Sequence, residues 1–141
     1  MTLYVESSAA LRAILGGDGD ARIRELLAVE HQLVVTSRLT LAEVARVLAR
    51  LRACRPADAV RAATREAALL RAAELWLIHP VDEEVLGRCG RPFPVEPVRT
   101  LDAIHLATVE RLAGAVTPLA VLSTDDRVRL NAEALGFDVL P

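Results

Sequence analysis

The most informative stretch of the chain is residues 99–111, RTLDAIHLATVER. It predicts a helix that begins at Thr100 and carries a carboxylate, Asp102, in its first turn. His105 follows three residues later, so the two side chains lie on neighbouring positions of one helix face. An acid in a first turn is by itself ordinary, because it interacts favourably with the unpaired amides and the positive end of the helix dipole. A functional role for Asp102 is favoured because similar acids recur at three other places along the chain.

Five short apolar runs elsewhere in the chain are typical of buried strands. They cover residues 2–5, 33–36, 75–78, 119–122 and 137–140. Strands that alternate with helical segments and carry unbroken apolar runs indicate a parallel sheet covered on both faces. The sequence therefore predicts an α/β fold: a three-layer α/β/α sandwich with a central, mostly parallel five-stranded sheet, in a single domain over residues 1–141.

The helices between these runs show apolar positions at a spacing of three and four residues. Shorter helices are expected at 9–15, 21–29, 81–88 and 125–135. Two longer ones flank the Arg55-Pro56 step, and the first of them takes its cap from Ser37 or Thr40. The inward positions of this first helix are Leu41, Val44, Leu48 and Leu51. Those of the second are Val60, Ala63, Ala67 and Leu70, and those of the 99–111 helix are Leu101, Ile104 and Thr108.

Composition limits the classes of protein that this chain can represent. With 141 residues, 52% of them apolar, it can bury about two thirds of its unfolded surface around an aliphatic core. All 17 basic residues are arginine and the net charge is -2, so the basic surplus of most nucleic-acid-binding proteins is absent. A nucleic-acid role would then need a local arginine patch or a metal ion.

Neither the cysteines nor the first residues indicate secretion or a membrane. Cys54 and Cys89 lack the spacing of a metal site or a disulfide framework. The opening residues, MTLYVESS, contain no basic segment and no long apolar run. We therefore expect free thiols, no signal peptide, no membrane span and a cytoplasmic protein.

Four acidic residues stand at strand-to-helix junctions. Glu6 follows the first strand, and Glu43 lies in the first turn after the second. Asp102 opens the 99–111 helix, and Asp125 follows the fourth strand. In a parallel sheet such junctions all lie at the carboxyl edge, where ligands bind at the point at which the strand order reverses. The four carboxylates are therefore expected to converge on one pocket.

Each of these residues also has a local explanation. Glu43 would complete a capping box with Thr40 in TLAE, and Asp125 and Glu6 would cap the helices that follow them. His105, on a largely apolar helix, is more typical of a buried hydrogen-bonding residue than of a metal ligand, because the sequence identifies no second partner to orient it.

A cluster of four carboxylates is unfavourable without a cation, since like charges raise one another's pKa. Hard oxygen ligands without a Cys/His set favour Mg²⁺, with Mn²⁺ as the alternative. Such an ion suggests phosphodiester hydrolysis, because it lowers the pKa of a bound water and holds the attacking and leaving oxygens in line. Ser7 and Ser123 are candidate supporting hydroxyls beside the acids. Arg99 and Arg127 are placed to neutralise phosphates, although two solvated arginines are an equal alternative.

Four segments carry a resemblance to a known family: YVESSAAL, TLAEV, RTLDAIHLAT and LSTDDRVRLNAEALGFDVL. They resemble PIN-domain ribonucleases, in particular the VapC toxins of bacterial toxin-antitoxin pairs, and the resemblance spans the whole chain. It implies a Mg²⁺-dependent endoribonuclease with Glu43, Asp102 and Asp125 in its acidic site and Ser123 as its supporting hydroxyl. It also implies a homodimer and an antitoxin whose tail blocks the site. We expect all four carboxylates to be catalytic and Glu6, Asp102 and Asp125 to hold the metal.

The chain departs from that family at Glu6, where the family pattern has aspartate before the Ser/Thr-Ser pair. Glutamate adds a methylene, about 1.5 Å of reach, against a metal-oxygen tolerance of about 0.2 Å. The departure favours an alternative, a catalytically weakened PIN-fold subunit that binds RNA or protein. A third hypothesis, an α/β phosphohydrolase for small molecules, would need a phosphate-binding glycine loop, and GGDG at 16–19 lies at a helix end instead.

Overall fold

The computed structural model describes residues 1–29 and 32–141, which form five strands and seven α-helices. The strands are β1 (Thr2–Val5), β2 (Leu33–Ser37), β3 (Leu77–His79), β4 (Leu119–Leu122) and β5 (Asp138–Leu140). The helices are α1 (Ser7–Leu15), α2 (Ala21–Leu27), α3 (Arg38–Cys54), α4 (Pro56–Ala73), α5 (Glu83–Cys89), α6 (Thr100–Ala113) and α7 (Asp126–Ala134).

The strands form one sheet in the order β3-β2-β1-β4-β5. Every described strand pair is parallel, so the expected five-stranded sheet is confirmed. The chain moves outward from β1 through β2 and β3, then crosses to the other side of β1 and continues through β4 and β5. The strand order therefore reverses between β1 and β4, and parallel α/β sheets bind their ligands in a crevice beyond the carboxyl ends of the strands at such a point.

Helices cover both faces of the sheet, which confirms the three-layer sandwich. Leu3 and Val5 of β1 are fully buried in a core with residues of α1, α2, α3 and α4. Tyr4, between them, points to the opposite face and packs with α5, α6 and α7. This alternation follows from the two-residue period of a strand. The side chain of Tyr4 is thus placed beneath α6, the helix that carries Asp102 and His105.

Helix α6 is buried on most sides from Ala103 to Val109. Ile104 and Thr108 face the interior as predicted. Leu101 does not, since it is 46% exposed, and the prediction was wrong at this position. The enclosing contacts begin only at Ala103, so the first turn of the helix, with Asp102, lies at the rim of the crevice.

The predicted inward stripe of α4 was wrong by about one position. Val60 is 77% exposed and Leu70 47% exposed. The residues that pack into the core are Ala62, Leu69 and Ala73. The helix is rich in alanine, so adjacent faces offer almost the same small apolar side chains and the sequence pattern does not distinguish them.

The ends of the elements differ from the predicted ones by a few residues. The helix expected at 81–88 begins at Glu83, because Asp82 caps it by accepting a hydrogen bond from the amide of Val85 (2.9 Å). The strand expected at 75–78 begins at Leu77, because the two preceding residues belong to the turn after α4.

Two expectations about the class of protein can be compared with the structure. Cys54 and Cys89 are both free thiols. Among residues 1–29 and 32–141, none of the helices combines the length and the apolar character needed to cross a membrane.

Candidate functional site

The four predicted carboxylates belong to four elements that meet at the carboxyl edge of the sheet. Glu6 caps α1 directly after β1, and Asp125 caps α7 shortly after β4. Asp102 is the third residue of α6. Glu43 projects from the second turn of α3, on the far side of β1 from Asp125. We call these four residues the acidic site.

Glu6 is buried and receives four hydrogen bonds. Its Oε1 accepts from the Ser7 hydroxyl (2.6 Å). Its Oε2 accepts from the backbone amide of Ser8 (3.0 Å), the Ser8 hydroxyl and the Ser123 hydroxyl (2.8 Å). The predicted cap of α1 is thus present, and the extra methylene lets the carboxylate fold back over its own helix. Of its two oxygens, only Oε1 keeps room for a further partner, because a carboxylate oxygen has two lone pairs.

Ser123 connects two acids of the site. Its fully buried hydroxyl donates to Glu6 and accepts from the backbone amide of Asp125 (3.1 Å). Asp125 is the predicted N-cap, since its Oδ1 accepts from the amides of Arg127 (2.9 Å) and Val128 (3.2 Å). Both bonds use the same oxygen, which leaves Oδ2 of Asp125 free of protein hydrogen bonds within the described ranges.

The local explanation for Glu43, a capping box with Thr40, is wrong. Helix α3 already begins at Arg38, and its cap is Ser37, which accepts from the amide of Leu39 (3.2 Å). Thr40 is fully buried and its hydroxyl lies 2.8 Å from that of Thr36. Glu43 is therefore free for a role outside its own helix, and it lies in the second turn rather than the first.

Glu43 binds His105. The Nε2 atom of His105 lies 2.7 Å from Oε2 of Glu43 and 3.6 Å from Oε1 of Glu6. Burial raises the pKa of Glu43, but hydrogen bonding, above all from His105, outweighs burial and lowers it overall. One ligand atom each of Glu6, Glu43 and His105 lie within 4.8 Å of one another, which makes this the tightest group in the site.

Asp102 is the least satisfied of the four acids. Its Oδ2 is buried and has no hydrogen-bond partner among residues 1–29 and 32–141. Burial is the largest cause of the raised pKa of Asp102, and the charges of Asp125 and Glu6 add to it. Arg99 and His105 oppose the shift only in part. The structure therefore brings Asp102 within electrostatic range of the other acids without supplying a counter-charge that balances them.

The two predicted phosphate-binding arginines are close in sequence to acids of the site. Arg99 immediately precedes α6, where its charge partly offsets the raised pKa of Asp102, and Arg127 lies in the first turn of α7. Both are exposed, and neither forms an ion pair with any described residue. Their role towards phosphates stays a prediction, with two solvated arginines as the equal alternative.

The sequence reasoning missed one member of the site, Tyr4. Its hydroxyl lies 2.8 Å from Nδ1 of His105 and supplies the second partner that the sequence did not reveal. A signal was present: Tyr4 is the one tyrosine of the chain and stands two residues before Glu6, on the same face of β1. Burial, followed by the charge of Glu6, raises the pKa of Tyr4 well above its ordinary value, so the hydroxyl keeps its proton.

The fold and the acidic crevice agree with the comparison to known families. A sequence model of the PIN domain matches residues 3–134. The chain therefore belongs to the PIN domain family. Within it, Ribonuclease VapC46 of Mycobacterium tuberculosis (strain ATCC 25618 / H37Rv) is 38% identical over 98% of this chain and 95% of that protein. Ribonuclease VapC35 of the same strain is 33% identical over 98% and 95%. The resemblance to VapC-type PIN ribonucleases is thus confirmed.

Solved structures of low sequence identity support the fold. Crystalline VapC20 of Mycobacterium tuberculosis, a toxin that cleaves the sarcin-ricin loop, matches with a TM-score of 0.64 at 19% identity, over 96% of this chain and 95% of that one. VapBC2 from Rickettsia felis, bound to a DNA fragment from their promoter, matches with a TM-score of 0.61 at 10% identity, over 99% and 98%. Both likenesses concern the arrangement of helices and strands.

Proposed function

We propose that this chain is a Mg²⁺-dependent endoribonuclease that acts as the toxin of a toxin-antitoxin pair. The observation that carries the proposal is the buried, unpartnered oxygen of Asp102, a carboxylate whose pKa is raised further by the charges of Asp125 and Glu6. A carboxylate in such a position is unfavourable unless a cation binds it. The names of the relatives, Ribonuclease VapC46 and Ribonuclease VapC35, support RNA as the substrate.

The residues of the site fit a divalent cation with oxygen ligands. Asp102 and Asp125 each keep an oxygen without a described protein partner, and Glu6 keeps room on Oε1. When bound, such an ion supplies positive charge for a phosphate and lowers the pKa of water. We assign Glu6, Asp102 and Asp125 to holding it, with Mn²⁺ as the alternative to Mg²⁺.

The chain's own residues would then orient the reactants. We assign Glu43, which His105 holds by a hydrogen bond, to accepting a proton from an attacking water. Ser7 and Ser123 fix the two oxygens of Glu6. We assign Arg99 and Arg127 to the phosphates of the RNA, since both are exposed cations close in sequence to Asp102 and Asp125.

The proposal predicts that Mg²⁺ both stabilises the protein and is required for cleavage. At a concentration of Mg²⁺ about 100 times its dissociation constant, linkage gives about 2.7 kcal/mol, or roughly 6 to 10 °C in Tm for a domain of this size. The measurement is a thermal melt with Mg²⁺ or with NaCl of equal ionic strength, together with cleavage of total bacterial RNA. RNA cleavage that persists undiminished in EDTA, or a Tm indifferent to Mg²⁺, contradicts the metal mechanism.

A protein antitoxin and a homodimer belong to the same proposal. They rest on the VapC-type relatives and on the open crevice flanked by Arg99 and Arg127, which an antitoxin tail would cover. A cytoplasmic location likewise stays a prediction.

A second candidate function is favoured by the hydrogen bonds of Glu6. Three donors occupy its Oε2, so the side chain is committed to capping α1 and to Ser123. If this commitment keeps the carboxylate from a metal, the chain would be a weakened PIN-fold subunit that binds RNA or protein with little turnover.

Replacing Glu6 with aspartate distinguishes the two candidates. Aspartate is the better cap, and its shorter side chain removes the methylene that displaces the carboxylate. We expect Glu6→Asp to tighten Mg²⁺ binding about five- to thirty-fold, equivalent to roughly 1 to 2 kcal/mol, and to raise RNA cleavage. Glu6→Ala should weaken Mg²⁺ binding in the same calorimetric titration. Equal affinities and cleavage rates for Glu6→Asp and the natural sequence would show that the extra methylene is accommodated, and the weakened-subunit hypothesis would lose its support.

A further inference from the structure

His105 stands in a buried chain of hydrogen bonds that begins in the sheet and ends in the acidic site. Tyr4 is fully buried on β1, and its hydroxyl lies 2.8 Å from Nδ1 of His105. On the other side of the ring, Nε2 lies 2.7 Å from Glu43. His105 is itself only 1% exposed. We refer to Tyr4, His105 and Glu43 as the Tyr-His-Glu chain.

The direction of the hydrogen bonds in this chain follows from the donors available. The Tyr4 hydroxyl must donate its proton somewhere, because an unpaired buried hydroxyl is costly. Nδ1 of His105 lies 2.8 Å from this hydroxyl. The Thr108 hydroxyl, which lies nearby, donates its own proton to the carbonyl of Ile104 (2.7 Å) but keeps its lone pairs, so the surroundings of Tyr4 alone do not decide which group accepts its proton. The direction follows from the other side of the ring, at Glu43.

An ionised carboxylate can only accept a hydrogen bond, so the ring proton of His105 lies on Nε2, 2.7 Å from Glu43. In a neutral ring Nδ1 then carries the lone pair, and it accepts from the Tyr4 hydroxyl. The other carboxylate near Nε2, Oε1 of Glu6, is at 3.6 Å, beyond hydrogen-bonding distance. The Nε2 proton is therefore directed to Glu43 and not shared with Glu6.

From this geometry we infer that His105 is a positioning residue, which holds the Glu43 carboxylate in the acidic site and whose tautomer is set by Tyr4. A nitrogen that carries a proton cannot coordinate a metal ion, so His105 is not a ligand although it lies within 4.8 Å of two carboxylates. The ligands of the site are then all oxygen atoms. An all-oxygen set suits Mg²⁺ and Mn²⁺, whereas an imidazole ligand would shift the preference towards Zn²⁺ and related ions.

Glu43 has particular need of such a partner. Its side chain extends from α3 and is about a quarter exposed. Glu6 and Asp125 cap helices and are held by backbone amides, whereas Glu43 does not cap a helix. Without the bond from His105 the side chain can turn towards solvent. This inference rests on the proposed function in one respect, namely that Glu43 belongs to the catalytic group.

The first test observes the tautomer directly. The chain contains three histidines, so protein labelled with ¹⁵N in histidine alone gives few ring signals, and those of His105 are assigned by their loss in His105→Gln. We expect Nε2 protonated and Nδ1 unprotonated, both in metal-free protein and after addition of Mg²⁺. A ring protonated on Nδ1, or on both nitrogens, in the metal-free protein overturns the inference.

The second test uses variants that separate position from mere packing. Tyr4→Phe keeps the ring and removes only the donor to Nδ1. It should mix the two tautomers of His105 and, because Glu43 is the proposed proton acceptor, slow RNA cleavage roughly 10- to 100-fold with little change in the affinity for Mg²⁺. His105→Gln keeps an amide donor near the Nε2 position and should cleave RNA about tenfold faster than His105→Leu. Ile104→Val, on the same helix but outside the chain of bonds, is the control for lost packing and should cleave RNA at the natural rate.

The outcomes separate this inference from the proposed function. If the natural sequence binds Mg²⁺ with the expected tautomer but cleaves no RNA, the nuclease proposal fails and the positioning role stands. If it cleaves RNA and Tyr4→Phe, His105→Gln and His105→Leu all cleave RNA as fast as the natural sequence, the positioning role fails and the nuclease proposal stands.

Discussion

Asp102→Asn should abolish RNA cleavage while it makes the metal-free protein more stable. The substitution keeps the volume of the side chain and removes the charge that is least compensated in the site, since Oδ2 has no partner among residues 1–29 and 32–141. Loss of a metal-holding carboxylate is expected to reduce cleavage on the order of 10³-fold, comparable to loss of a key charge-stabilising group. Cleavage assays in Mg²⁺ and chemical denaturation in EDTA measure the two effects.

The raised pKa of Asp102 predicts the direction in which the stability of the natural protein changes with pH. Because the pKa of Asp102 is raised above its ordinary value near 3.8, the folded state holds the proton more tightly than the unfolded state. The stability contributed by the protonated group is full below the unfolded-state pKa and is lost as the pH rises through the folded one. Glu43, whose pKa is lowered, contributes in the opposite sense, with stability present above its ordinary value near 4.5 and lost as the pH falls below it.

Both proteins contain Glu43, so the difference between their free energies of unfolding isolates the contribution of Asp102. The stability difference in favour of the variant should therefore grow as the pH rises from 4 towards 7 and vanish at low pH. Asp126→Asn is the matched control, because this neighbouring aspartate is exposed on α7 and its removal makes the same change in net charge. Equal stability and equal cleavage for both variants would remove Asp102 from the proposed site.

Ser123→Ala should weaken Mg²⁺ binding roughly 10- to 100-fold and destabilise the fold by about 1 to 3 kcal/mol. The reason is that one buried hydroxyl serves two acids: it donates to Glu6 and accepts from the amide of Asp125. Alanine leaves that amide without its partner and frees the Glu6 carboxylate to turn. Calorimetric titration with Mg²⁺ and denaturant unfolding measure the two losses separately.

Thr2→Val is the control for Ser123→Ala. It also removes a buried hydroxyl, but at the amino end of β1, the edge of the sheet opposite the four carboxylates. It should leave the affinity for Mg²⁺ unchanged. If Ser123→Ala lowers the stability but leaves the affinity for Mg²⁺ unchanged, then Ser123 is a structural residue and not a support of the metal site.

Much of the fold was readable because its signals are local. The buried strands are unbroken apolar runs, and Glu6, Ser37 and Asp125 cap the helices they precede, as their residue types predict. The inward face of α4 was not readable, because a helix made largely of alanine presents similar side chains in several directions. Leu101 was misplaced for a related reason: its apolar character says nothing about which turn of α6 the neighbouring elements cover.

The convergence of the four acids on one edge could be predicted from topology, but their contacts could not. The bond between Glu43 and His105 joins residues 62 positions apart, and that between Tyr4 and His105 joins residues 101 apart. Such contacts depend on the position and tilt of each helix relative to the sheet, and no local sequence pattern specifies these. The TLAE motif even suggested a local role for Glu43. The start of α3 at Arg38 removes that role, and the side chain of Glu43 reaches across to α6 instead.

The central position of β1 determines when the site can exist during synthesis. β1 finds its second neighbour, β4, only after β2 and β3 have been made, and Ser123 meets Glu6 across 117 residues. A nascent fragment that ends before β4 contains Glu6 and Glu43 but neither Ser123 nor Asp125. Contacts so distant in sequence form late in folding. On the proposed function, each growing chain is therefore inactive towards the RNA of the ribosome that makes it until β4 and the residues that follow it have been made.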